Sequence, residues 1–196
     1  MDEVLSSYIL AFDEINALMA TSYAQADRDD IQKRVQQIAD DLLSFLIKAY
    51  KEGIRAASIM FAYDLTVDTD KMYDAIYAVI DGKDFEDRVI TYILADDLAG
   101  LQMLAESEYH RVYQTAVNDG AYQFQEEGNF GIEKTWHTLL DNLVRDTHRY
   151  LEGMTVALEE EFYTYDGDHA RFPGDFGNAA NNVHCRCYLT YRAMVV

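Results

Sequence analysis

The sequence predicts an α+β fold: an N-terminal helical region over residues 1–125, then a small mixed α/β domain over 126–196 with a short antiparallel sheet. Three observations carry this reading. Apolar residues recur at three- and four-residue intervals through the first 120 residues, the period of a one-sided helix. Beyond that point Gly128, Gly131, Gly153, Gly167, Gly174 and Gly177 divide the chain into short segments. The last segment, Val183 to Ala193, alternates in the period-two manner of a strand.

Leu5, Tyr8, Phe12, Ile15 and Met19 share one face of a first helix, and Ile31, Val35, Ile38, Leu42, Phe45 and Ala49 share one face of a second. The acidic stretch Asp27 to Asp30 separates them and suits a helix start. Gly53 either ends the second helix or loosens it, while Ile54, Ala57 and Phe61 continue its pattern. Asp68-Thr69 offers a cap for a short helix carrying Met72, Ile76 and Val79. Asp81-Gly82 is a turn signal. A long helical stretch follows from Asp84 to Asn118, with an interruption expected near Gly100. These stripes are the packing faces of a small bundle, or a docking surface for a partner helix.

In the second part, Glu133 to Leu139 reads as a strand and Asp141 to Tyr150 as one short helix with Leu143, Val144 and Thr147 near one face. Thr155 to Tyr165 forms one strand or two. Phe172-Pro173-Gly174-Asp175 is a loop. In the terminal strand Cys185, Cys187, Leu189 and Tyr191 point to one side, the core side, and His184, Arg186, Tyr188 and Arg192 to the other.

The chain has 196 residues, 49% of them hydrophobic and 26% charged, as in an ordinary globular protein. No apolar run approaches the ~20 residues that cross a bilayer, and the acidic start Met1-Asp2-Glu3 is unlike a signal peptide. The expected location is the cytoplasm, or a particle assembled there. A net charge of −19 repels phosphate backbones, which disfavours general nucleic-acid binding and favours basic protein partners. Two cysteines exclude a disulfide-stapled scaffold, and a bridge between positions i and i+2 of a strand has poor geometry. They are free thiols, buried small residues or metal ligands.

One set of residues adds a resemblance. Lys134-Thr135-Trp136, then Asp141, Arg145, His148 and Gly153, then Phe172-Pro173-Gly174-Asp175 and finally Cys185-Arg186-Cys187 resemble the phage Mu protein F-like, or phage head morphogenesis, domain over roughly residues 131 to 190. The segment Leu104 to Arg111 resembles the helix that precedes this domain, where an acid and an arginine recur three apart as Glu108 and Arg111 do. Glu152 replaces the usual aspartate before glycine, and His184 a frequent asparagine before Cys-Arg-Cys. The resemblance implies a minor head protein of a phage or prophage. It would act in capsid assembly near the portal, with the portal, scaffold or major capsid protein as partners, in the host bacterial cytoplasm and then in the virion. Self-association is a further expectation.

Two chemistries are expected to compete with plain packing. Cys185 and Cys187 on one strand face, with His148 from a helix, can supply three zinc ligands, and Asp141 or Glu152 a fourth. His184 faces away. A ribonuclease-type toxin on the same scaffold is the alternative function that the resemblance implies. It would draw a base, an acid and a phosphate-binding cation from His148, His184, Arg145, Arg186 and Glu161. The structural counter-reading has Arg145 paired with Asp141, four residues away on a helix, and Arg186 paired with an acidic neighbour. Trp136 belongs to a core or an interface.

Overall fold

The computed structural model describes residues 2–128 and 131–194, with side chains from residue 10 onward, so Leu5 and Tyr8 lie outside the described side chains. Five helices come first: α1 (Asp2–Gln25), α2 (Ile31–Phe61), α3 (Thr69–Ile76), α4 (Phe85–Leu94) and α5 (Leu98–Gly128). Asp30, Asp68 and Asp84 cap α2, α3 and α4, each accepting hydrogen bonds from backbone N–H groups of the first turn. Most of the described apolar stripes are buried; Ile31 is exposed, and Phe12 and Phe45 are half-buried. Ile15 and Met19 of α1 and Ile38, Leu42 and Leu46 of α2 have no exposed surface.

The long helices α2 and α5 pack most closely where both carry small residues. A Cβ on Gly53 would come within 2.6 Å of the Ala116 Cβ and the Tyr113 carbonyl oxygen, and one on Gly120 within 2.6 Å of the Ala57 Cβ. Gly53 therefore neither ends nor loosens α2; it lets α5 approach. Two other expectations are corrected. Val79 lies beyond α3 and is exposed, because Asp81 and Gly82 turn the chain back with positive φ and pair Ile80 with Lys83. The break between α4 and α5 falls at residues 95–97, where Asp96 is left-handed, not at Gly100, which sits in the first turn of α5 against the Tyr92 ring.

After α5 the chain forms β1 (Gly131–Thr138), α6 (Asp146–Arg149), β2 (Thr155–Ala157), β3 (Phe162–Tyr163), β4 (His169–Ala170), α7 (Ala179–Asn182) and β5 (Cys187–Met194). An antiparallel sheet has the order β2-β1-β5, with Thr138 opposite Cys187 and Gly131 opposite Met194; β3 and β4 make a separate two-stranded ribbon. Ile132, Lys134, Trp136 and Thr138 occupy the buried face of β1. Trp136 is the centre of an aromatic cluster, edge-on to Phe162 at 5.0 Å, Phe176 at 5.6 Å and His148 at 6.0 Å.

The helix expected over Asp141 to Tyr150 shrinks to the single turn of α6. The Asp141 carboxylate instead accepts the Leu143 N–H, and Leu143 is exposed. Apolar residues of both parts join one core that includes Ile15, Leu101, Val112, Trp136, Phe172 and Leu189.

Candidate functional site

The densest chemistry lies where α5, α6 and the start of β5 meet. Cys185 precedes β5 rather than belonging to it. His184 is left-handed, with φ of 51°, and this turn folds Cys185 back beside Cys187. Asparagine enters that backbone region more readily than other non-glycine residues, which accounts physically for the asparagine seen there in the resembling family. Both thiols are buried and free. The His148 imidazole, itself 1% exposed, presents Nδ1 to them, 3.7 Å from the Cys185 Sγ and 3.3 Å from the Cys187 Sγ. Its ring stacks on Phe176 at 5.0 Å.

Burial alone would push the Cys185 thiol up. Hydrogen bonds with Cys187, His110 and His148 outweigh it and hold Cys185 well below the ordinary thiol range. Burial and the adjacent Cys185 sulfur push Cys187 up. Cys185 is thus the more acidic of the two thiols. His110 is the residue that sequence reasoning missed. It lies on α5 some 75 positions away from the cysteines in sequence, so only tertiary packing reveals it. The available signal was a histidine falling on the buried stripe of the helix, between Tyr109 and Val112.

The remaining candidates are placed elsewhere. Asp141 is no part of the thiol cluster: its carboxylate accepts two hydrogen bonds from Arg186, at 2.9 Å from Nε and from Nη2 as well. That pair holds the carboxyl below the usual carboxylate range against the raising effect of burial. The expected Asp141–Arg145 pair is replaced, because without a helix at Asp141 the two do not share a face; Arg145 donates to the Val183 carbonyl. Glu152 accepts the Thr138 N–H at 2.6 Å and stands 3.5 Å from His137, at the sheet. His184 is exposed and lies 3.5 Å from Glu106, and Glu161 lies 3.0 Å from His169.

The five residues that a nuclease would use have these separate surroundings. His148 is sealed in the core, Arg145 and Arg186 are committed to separate partners, and Glu161 belongs to the β3–β4 side. A cleft of about 220 Å³ does open between α4, α5 and residues 174–183, lined by Arg88, Glu108, Arg111 and Asn182 among others, and none of the five lines it. Its floor is an ion triad. The Glu108 carboxylate accepts Arg88 at 3.2 Å and Arg111 at 2.6 Å, and both guanidinium groups also donate to backbone carbonyls.

The sequence matches the family described as Phage Mu protein F like protein over residues 69–190, more than half of the chain. The chain belongs to that family. The matched stretch takes in α3 to α5 as well as the sheet, so the Mu protein F-like unit includes the helix that carries Glu108, His110 and Arg111. Among curated proteins, NAD(+)–arginine ADP-ribosyltransferase EFV of Enterococcus faecalis is 26% identical over 168 residues, 84% of this chain and 34% of that protein. Minor head protein GP7 of Bacillus phage SPP1 is 32% identical over 94 residues, 48% of this chain and 30% of that protein. The chain thus spans about a third of the length of these two relatives. No solved structure matches it significantly.

Proposed function

We propose that this chain is a minor head component of a phage or prophage and acts by binding during capsid assembly. The observation that carries the reading is one shared segment in two proteins of different named roles. About a third of a minor head protein and about a third of an ADP-ribosyltransferase align with this chain. What such proteins have in common is a module, and a shared module does not by itself carry one activity. Support also comes from the site: the soft, reactive side chains are sealed inside, while the outer faces are acidic and helical.

The partner class is a head structural protein, the portal, scaffold or major capsid protein, presenting a basic surface to a chain of net charge −19. Assembly would take place in the bacterial host, and the protein would remain in the virion.

Deleting the gene from its phage or prophage tests this. The expected result is a loss of infectious particles restored by expression in trans, with host growth unaffected. Normal particle yield after deletion would overturn the reading. The enzyme reading has its own assay: purified protein incubated with RNA, or with NAD and an arginine-rich acceptor, is expected to give neither cleavage nor ADP-ribosylation.

A further inference from the structure

His148, Cys185 and Cys187 present three donor atoms that all lie within 4.8 Å of one another. In a tetrahedral zinc site with Zn–S near 2.3 Å and Zn–N near 2.1 Å, adjacent S and N donors stand about 3.6 Å apart. The observed S···N separations of 3.3 and 3.7 Å already bracket that edge. His110, buried on α5, acts on the Cys185 sulfur but is not one of the donors that lie within 4.8 Å of one another.

We propose that His148, Cys185 and Cys187 hold one zinc ion. Two thiolates and an imidazole are donors that zinc favours. Of the fourth ligands expected from sequence, Asp141 is held by Arg186 outside the cluster and Glu152 accepts the Thr138 N–H at the sheet. The ion would join two pieces of chain distant in sequence: α6 and the turn into β5. It would therefore clamp α6 to the sheet. The inference is independent of the head-protein reading, and its failure would leave that reading standing.

The test uses the full chain, purified without chelator, with metal measured by elemental analysis and thiols by titration. One zinc per chain is expected. Replacement by cobalt(II) should give thiolate-to-cobalt charge-transfer bands and the intense visible bands of a tetrahedral site. His148→Gln and Cys187→Ser should each weaken zinc binding by more than the roughly 10–100-fold that an outer-shell loss costs. Asp141→Asn should bind zinc as the parent chain does. Should a variant fail to fold, the parent chain still decides: addition of EDTA is expected to remove the zinc and lower the melting temperature. Protein without metal that gives no cobalt charge-transfer band, or Cys185 and Cys187 joined as a disulfide, would overturn the site. Zinc retained in full by His148→Gln would equally overturn it.

Discussion

Lys134 stands on the buried face of β1 with no exposed surface. Its ammonium lies 5.6 Å over the Phe162 ring and has no hydrogen-bond acceptor among the described residues. Burial, helped by the charge of Arg171, pulls its pKa down from 10.5 to about 8. Between those two values the unfolded chain holds a proton that the folded chain has released, so this residue makes stability rise with pH from about 8 to 10.5. Below pH 8 the full penalty of the buried charge is present. Lys134→Met should therefore stabilise the protein at pH 7 by about 1–3 kcal/mol, one pKa unit being about 1.4 kcal/mol. The gain should shrink as the pH rises through that window, as read by urea denaturation at several pH values. A variant less stable than the parent at pH 7 would show that the ammonium has a partner. Trp136→Ala in the same strand should cost about 3–5 kcal/mol, the range for removing a buried aromatic side chain.

At the scale of elements, the apolar packing of α5 on the α3–α4 segment is joined by an ionic tie. Arg88 and Arg111 meet on Glu108 in a site where Glu108 is 4% exposed. Removing the acid would leave two guanidinium groups facing each other without a counter-charge. Glu108→Ala is expected to lose about 3–5 kcal/mol in chemical denaturation; a loss under 1 kcal/mol would mean that solvent screens the triad. The α2–α5 crossing relies on the absence of side chains. Gly53→Ala gains helix propensity of about 1 kcal/mol but puts a methyl 2.6 Å from a backbone oxygen and another Cβ. A net loss of about 1–3 kcal/mol is expected from such overpacking.

These elements also separate what the sequence revealed from what it concealed. The cap at Asp68, the helix starts at the Asp27–Asp30 stretch and at Asp84, the β1 strand and the inward face of Cys185, Cys187, Leu189 and Tyr191 were legible, because each rests on local period, charge or capping chemistry. The collapse of the Asp141 helix was not. A run of helix-compatible residues gave no hint that Asp141 would turn the chain and reserve its carboxylate for Arg186, 45 residues away. His148 beside the thiols was readable as a pairing of residue types. The approach of His110 depends on the packing of α5 against the sheet, which no local pattern encodes.

For the whole molecule, the expected division near residue 125 falls inside α5, which runs to Gly128 and contributes to the same hydrophobic core as the sheet. The helices and the Trp136 environment are therefore expected to unfold together. Far-ultraviolet circular dichroism, which follows the helices, and Trp136 fluorescence, which follows the sheet, should give one coincident transition. Tryptophan is informative here because the chain has a single one. Two separated midpoints would mean independent units.

The function rests on the chain being part of a phage head. Heads purified on a density gradient from the phage or induced prophage that encodes it, analysed by quantitative mass spectrometry against the major capsid protein, measure this directly. The expected result is peptides of this chain at a reproducible ratio well below that of the major capsid protein, resistant to washing in high salt. Heads that are complete and infectious but contain none of it would contradict the assignment.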